Sequence, residues 1–308
     1  MNRTYAAIDL GSNSCRLTIV DKTGKELFFS GVPVRLGEGI SETKKISDAA
    51  IARAVECFFH FRQEMDAHGV ENYRAVATAA MRNAENAQKL IDIVQKESNI
   101  KIDIIDGEEE ARLTLLGAVV NAEKTKKYVL AFDSGGGSTE ISLATNEDIP
   151  EIIHSVSIPW GGRNGSEHFD LVEYSEEKAD KFRAEIRKYI QKFMSDCHFE
   201  KYSCSISYIG ASSTPLRLAA AFHDFGKYER GNSDKKEIEI SKVDALLNSF
   251  YQKSVSELAV SPYVGKNRSP IFVSACLIFE TIVKAFEMDK VIASLGSVKE
   301  GVLKELIS

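Results

Sequence analysis

The chain has 308 residues, 44% of them hydrophobic and 27% charged, with a formal net charge of −6. That length slightly exceeds the roughly 250–300 residues at which one hydrophobic core stops growing, so two domains are expected. The acidic balance excludes bulk attraction to nucleic acid, no stretch approaches the ~18 apolar residues that span a membrane, and Met1-Asn2-Arg3-Thr4-Tyr5 leads into a strand without a signal peptide. The expectation is a cytoplasmic protein with neither nucleic acid nor membrane as partner.

Three strands are predicted first, at residues 5–10, 15–20 and 26–36. A helix follows, capped by Ser47, with Ile51, Ala54, Val55, Phe58, Arg62 and Met65 at the 3.6-residue spacing of one face and Gly69 at its end. Then come a strand at 74–78, a helix at 84–97, a strand at 101–105 and a helix at 108–120. The second half begins again with three strands, at 128–133, 139–144 and 151–158, before an amphipathic helix at 175–194, a strand at 205–209 and a helix at 213–222. Residues 223–237 are polar and read as a loop, followed by helices at 241–252, 272–286 and 299–307 and a strand at 291–294. Strand-strand-strand-helix-strand-helix, occurring twice, implies an α/β protein of two domains, each a mixed sheet covered by helices, with a ligand in the cleft between them. The polar, lysine-rich segment 121–127 separates them, giving domains at 1–123 and 124–308. Whether the last helix crosses back to the first domain stays open at this level.

Two segments repeat one another: AIDLGSNSCRLTIV from Ala7 and AFDSGGGSTEISLA from Ala131. Each is an apolar strand ending in Asp, a Gly/Ser turn and a second strand. Glycine lets backbone N–H groups approach an anion closely, Ser and Thr hydroxyls add donors, and Asp9 and Asp133 at the strand ends suit a divalent cation. A single Asp-x-Gly turn is common without any chemistry; duplication at matching places in two halves points to a phosphate gripped from both sides. Asp106-Gly107-Glu108-Glu109-Glu110 opens a helix, where carboxylates favour the positive end of the helix dipole. Against an apolar stripe of Leu113, Leu116, Gly117 and Val120, Glu109 and Glu110 fall on the edges and Glu108 away, so spacing leaves either of the two as a proton acceptor for a water attacking phosphorus. Arg82 stands just past another strand end, where a guanidinium can clamp a phosphate.

A phosphate-rich ligand needs local basic surface, and Lys44-Lys45, Lys124 with Lys126-Lys127, and Lys266 with Arg268 are the candidates. The five cysteines, Cys15, Cys57, Cys197, Cys204 and Cys276, are scattered and odd in number, which argues against a zinc site or a disulfide framework. His223-Asp224 lies alone in a polar loop without further ligands and reads as structural. Neither a Walker A sequence nor a Gly-x-Gly-x-x-Gly fingerprint occurs.

The motifs DLGSNS (Asp9 to Ser14) with Arg16-Leu17, ATAAMRNAEN (Ala77 to Asn86), GEEEARL (Gly107 to Leu113), DSGGGSTE (Asp133 to Glu140) and KEG (Lys299 to Gly301), in this order over nearly the whole chain, resemble the exopolyphosphatase and guanosine pentaphosphate phosphohydrolase family. That family belongs to the actin, Hsp70 and sugar-kinase superfamily of two ribonuclease-H-like domains. The resemblance implies two such domains, each with a mixed five-stranded sheet, and an active site in the cleft. It implies Glu110 as catalytic base, Asp133 and Glu140 as magnesium-associated and water-positioning carboxylates, Gly11, Ser12, Asn13 and Ser14 as the first phosphate turn, and Gly135, Gly136, Gly137, Ser138 and Thr139 as the second. Arg82 is then similar to a phosphate-contacting arginine. The implied reaction removes a terminal phosphate from inorganic polyphosphate or guanosine pentaphosphate with Mg2+, and the resemblance leaves room for a homodimer. The family pattern is altered at Ser134, in Gly210-Ala211-Ser212-Ser213-Thr214, in Pro159-Trp160-Gly161-Gly162-Arg163-Asn164 and at Arg268-Ser269-Pro270. Longer relatives carry a further helical part, so poorer processivity on long polymers is expected here. An ATP-using member of the superfamily, or a non-catalytic sensor of polyphosphate or a guanosine alarmone, are the alternatives.

Overall fold

The computed structural model describes residues 3–308; Met1 and Asn2, the start of the segment expected to lead directly into a strand, lie outside the described residues. The first half forms β1 (Thr4–Leu10), β2 (Ser14–Asp21), β3 (Glu26–Pro33), α1 (Ile40–Thr43), α2 (Asp48–Ala67), β4 (Asn72–Ala77), α3 (Ala79–Asn83), α4 (Ala87–Ser98), β5 (Ile102–Ile104) and α5 (Gly107–Ala118). The second half forms β6 (Tyr128–Ser134), β7 (Thr139–Thr145), β8 (Ile152–Ile158), α6 (Gly162–Phe169), α7 (Glu176–Cys197), β9 (Ile206–Ala211), α8 (Ser213–Phe222), β10 (Glu237–Glu239), α9 (Val243–Tyr251), α10 (Val255–Val260), α11 (Ser269–Ala285), β11 (Lys290–Ala293) and α12 (Val298–Ile307). Ser47 caps α2, accepting from Ala50 N as its sequence position suggested. The helices not foreseen, α1, α3, α6 and α10, have eight residues or fewer, too few turns for a 3.6-residue period to emerge.

The first sheet has the order β3-β2-β1-β4-β5 and the second β10-β11-β9-β6-β7-β8. In both, the central strand pairs antiparallel with the next strand and parallel with the one after the crossover (β1 with β2 and β4, β6 with β7 and β9). The second sheet therefore has six strands where five were expected. Its extra edge strand, β10, starts at the last residue of the segment read as loop and was not foreseen; one buried residue, Ile238, between two exposed glutamates is too little pattern to announce a strand.

Side chains of β1 alternate between two cores, Ala6, Ile8 and Leu10 facing α2 and α4, and Tyr5 and Ala7 facing α12. The last helix thus does return to the first sheet, closing its second face with Val298, Val302 and Leu303. Reciprocally, α5 sends Leu115 and Ala118 onto Val129 and Ala131 of β6. The two exchanged helices meet through glycine: a Cβ on Gly117 would lie 2.5 Å from the Ser297 carbonyl oxygen, and one on Gly301 would run into the Leu113 carbonyl. The contact brings α5, with its N-terminal glutamates, between the two sheets. Val120, assigned to the apolar stripe, lies past the end of α5 in the 3-10 turn Val119–Asn121 and is 57% exposed, while the helix is buried on several sides from Glu110 to Ala118. No described helix is long and apolar enough to cross a membrane.

Candidate active site

The two repeated turns have the same internal bond, Gly11 N donating to Ser14 O (3.1 Å) and Gly135 N to Ser138 O (2.9 Å). Their tips touch across the cleft, so closely that a Cβ on Gly137 would sit 2.7 Å from Ser12 Oγ. The segment after β8 ties back the carbonyls of the second turn: Gly162 N donates to Gly135 O (2.9 Å), Arg163 N to Gly136 O (2.8 Å) and Asn164 Nδ2 to Gly137 O (2.9 Å). With its carbonyls engaged, the turn has N–H groups left to offer an anion. Buried Arg163 also donates through Nη2 to Asn13 Oδ1 of the first turn, clipping one lobe to the other.

Register makes the two copies chemically unequal. Asp9 pairs with Arg16 across β1 and β2, and at the same register Asp133 pairs with Glu140 across β6 and β7. One copy therefore carries a cation where the other carries a carboxylate. Asp9 accepts from Arg16 Nη1 at 3.1 Å. The Asp133 carboxylate has no hydrogen-bond partner among the described residues, and desolvation by the closed cleft, opposed by Arg16 and helped by Asp9, pushes its carboxyl up to about 6. Glu140 accepts from Ser157 Oγ (2.9 Å), yet desolvation and the Asp133 charge push it up to about 7. Glu110, 7% exposed, is raised well above the ordinary carboxylate range by burial and by Glu140, against the opposing pull of Arg82, whose Nη1 lies 2.6 Å from Oε2. Glu109 points elsewhere: it accepts from Arg112 Nε (2.7 Å) and Arg74 Nη1 (3.1 Å), and Arg112 and Arg74 lower its pKa.

A cavity of about 50 Å³ lies between the turns and is lined by Asp9, Gly11, Ser12, Asn13, Ser14, Glu110, Asp133, Gly135, Gly136, Gly137, Ser138 and Glu140, so twelve of the residues singled out in the sequence converge. Thr139 does not. The two-residue period of β7 that aims Glu140 into the cleft turns Thr139 away, and its hydroxyl donates to Trp160 O (2.8 Å). Nor does Arg82 line the cavity, its Nη1 being spent on Glu110 and on Ile105 O (2.9 Å). His223 and Asp224 are engaged separately, the imidazole with Glu237 O (2.8 Å) and the carboxylate with Tyr263 Oη (2.8 Å).

The residues do fit a divalent cation that keeps most of its waters. Among the described residues no three His, Cys, Asp or Glu side chains converge as a ready cage. Mg2+ needs only one or two carboxylates beside water and phosphate oxygens, and Asp133 supplies an unpartnered one next to Asp9 and Glu140.

Beyond Arg16 and Arg268 the cleft widens into a chamber of about 270 Å³ lined by five cationic side chains, Arg16, Arg217, Arg230, Arg268 and Lys299, and by no carboxylate. Arg268 makes no side-chain hydrogen bond or ion pair among the described residues, and desolvation with Arg16 and Arg217 nearby pulls its pKa down to about 9. Ser212 and Ser213 hydroxyl oxygens are buried there without partners, at the start of α8, and Ser212 holds φ +84°, a left-handed conformation costly for a residue with a Cβ. Such orphan donors suit an anion. Of these cations the sequence marked Arg268 as basic surface and quoted Arg16 and Lys299 inside motifs; Arg217 and Arg230 carried no local pattern, because only the fold brings them together.

A model described as the Ppx/GppA phosphatase family matches residues 18–308. The bifunctional 3-dehydroquinate synthase/phosphatase of Fusobacterium nucleatum is 29% identical over 98% of this chain and 47% of its own length. The guanosine-5'-triphosphate,3'-diphosphate pyrophosphatase of Pseudoalteromonas atlantica is 30% identical over 97% of this chain and 58% of its own. The chain thus spans about half to three-fifths of the length of these curated relatives. Among solved structures, an exopolyphosphatase from Cytophaga hutchinsonii superposes with a TM-score of 0.88 at 26% identity, covering 99% of this chain and 98% of that one. The Aquifex aeolicus PPX-GPPA enzyme does so with a TM-score of 0.79 at 26% identity, covering 99% and 100%. The two mixed sheets with their helices are those of these two-domain structures.

Proposed function

As the chain belongs to the Ppx/GppA phosphatase family, we propose that it is a phosphohydrolase removing the terminal phosphate from inorganic polyphosphate or guanosine pentaphosphate in the cytoplasm. The observation that carries this reading is the convergence of both glycine turns with Glu110 and Glu140 in one cavity that opens onto five cations. The terminal phosphate lies between the turns Gly11–Ser14 and Gly135–Ser138, whose N–H groups and hydroxyls stabilise charge on its oxygens. The two sheets, the first with α12 returned to it and the second with α5 packed on it, act as lobes that part to admit the phosphate, since the closed cavity of about 50 Å³ has room for little beyond a few waters. Asp133, with Asp9 and Glu140 beside it, would hold Mg2+ together with water and phosphate oxygens, and the ion would offset phosphate charge. Glu110 takes a proton from the attacking water: burial and the neighbouring Glu140 raise its proton affinity, which favours that transfer, and Arg82 fixes the carboxylate. Glu140, steadied by Ser157, orients that water. The remaining phosphates lie along Arg16, Arg268 and Lys299.

The test is phosphate release from each substrate with magnesium, for the wild type and Glu110→Gln. Loss of a general base costs ~10²–10⁴-fold in rate. Full activity in the variant sinks the assignment of Glu110, and binding without turnover in the wild type favours the sensor reading.

A further inference from the structure

Arg230 is a chamber cation held by the opposite lobe. It belongs to the segment between α8 and β10, in the second half of the chain, yet Nη1 lies 3.0 Å from Glu26 Oε2 on β3 of the first sheet. Its guanidinium carbon stands 3.9 Å from the centre of the Phe29 ring on the same strand, and Nη2 is 3.2 Å from Glu300 Oε1. The segment carrying it is anchored at both ends. Tyr263 Oη donates to Asp224 Oδ1 (2.8 Å) before it, and Leu295 N (2.8 Å) and Asn121 Nδ2 (3.0 Å) donate to Asp234 Oδ1 after it. Arg230 thus sits on a strap fixed to the second lobe and clasps the first.

The clasp has a definite place along the chamber. Asn13, Ser14, Arg16, Ser212 and Arg268 line both the chamber and the small cavity, so they mark its inner end. Phe29, Tyr228 and Arg230 line only the chamber, and Glu26 is 48% exposed at the surface, so the clasp lies at the outer end. A phosphate chain with its terminal group between the turns extends outward toward Arg230. A short chain ends inside and gains the guanidinium as a further donor. A longer one that continues outward past Phe29 meets the clasp, and threading between Arg230 and β3 pulls the arginine from Glu26 and off Phe29.

Resting on the phosphohydrolase reading for the chemistry of the ligand, we propose that the Arg230–Glu26–Phe29 clasp is a length gate that makes the chamber favour short anionic phosphate chains over long ones. Calorimetric titration of the full chain with tripolyphosphate and with long-chain polyphosphate, both with magnesium, is run beside phosphate release for the wild type, Glu26→Gln and Arg230→Ala. Glu26→Gln, which leaves every chamber-lining residue in place, is expected to hold tripolyphosphate affinity and raise long-chain affinity ~2–5-fold, the worth of a half-exposed ion pair. Arg230→Ala is expected to lower tripolyphosphate affinity about tenfold, as loss of a charge-assisted hydrogen bond does, and to raise the ratio of long-chain to short-chain affinity. An unchanged ratio in both variants overturns the gate and leaves the phosphohydrolase reading standing if phosphate is released. A shifted ratio without any phosphate release keeps the gate and overturns the hydrolase. No binding of either polymer by the wild type overturns both.

Discussion

Replacing Gly301 by alanine separates the effect of helix propensity from that of the contact between the exchanged helices. Inside a helix such as α12, glycine to alanine is ordinarily stabilising by ~0.5–1 kcal/mol. Here the added Cβ would lie 2.7 Å from the Leu113 carbonyl carbon and 2.9 Å from its Cα. Those are main-chain atoms, so no rotamer relieves the clash and α12 must move away from α5. Overpacking of a tight core costs ~1–3 kcal/mol, which outweighs the propensity gain. At ~2–4 °C per kcal/mol for a chain somewhat smaller than this one, a fall in Tm of several degrees is expected. Glu110 stands one turn before Leu113 on the displaced helix, and a shift of ~1 Å at a reacting group can cost ~10²-fold in rate. Thermal unfolding and phosphate release on the same preparation measure both consequences. A Gly301→Ala protein with raised Tm and unchanged kcat would refute the idea that this contact sets the position of Glu110.

Three further expectations follow from the site. Glu109→Gln breaks ion pairs to Arg74 and Arg112 on the far side of α5, so its kcat should stay within about twofold of wild type, while its stability falls by no more than the ~1 kcal/mol of surface pairs; a loss matching that of Glu110→Gln contradicts the separation of the two glutamates. Asp133 raises stability least when ionised: a carboxyl held at about 6 instead of 3.8 leaves stability intact below pH 4 and loses it as pH rises through 6, by at most ~3 kcal/mol and less because Asp133 keeps some solvent contact. In metal-free buffer Asp133→Asn should therefore unfold at higher denaturant than wild type at pH 8 and at the same denaturant at pH 4, and equal midpoints at pH 8 would count against the charge crowding. Arg268→Ala removes a cation with no protein partner, so stability should hold or rise, whereas substrate affinity drops about tenfold for each lost charge-assisted bond; an unaltered KM and kcat would remove Arg268 from the substrate path.

Much of the site was legible because it is local. A strand ending in Asp, a Gly/Ser turn and a return strand specify a hairpin whose amides face outward, and this pattern occurs at Ala7 and again at Ala131. The helix at Gly107 likewise announces itself by its Asp106 cap, whose side chain accepts from Glu109 N. Tertiary contacts were needed for what depends on orientation. Helical projection left Glu109 and Glu110 on the two edges of α5, and the distinction came from arginines elsewhere in the chain: Arg74, together with Arg112 one turn on, holds one glutamate outside, and Arg82 the other inside. Thr139 was within reach of sequence reasoning, since strand alternation already sets it opposite to Glu140.

The amino-acid sequence by itself determined the two α/β halves, their order of strands and helices and the paired phosphate turns, because hydrophobic period and turn chemistry act over a few residues. The exchange of α5 and α12 between the sheets, the sixth strand and the cationic chamber were decided by the tertiary structure. Arg16, Arg217, Arg230, Arg268 and Lys299 stand far apart along the chain, and charge has no period that would group them. Their convergence is a property of the closed cleft, where long-range packing overcomes the mutual repulsion of like charges that an anionic ligand would relieve.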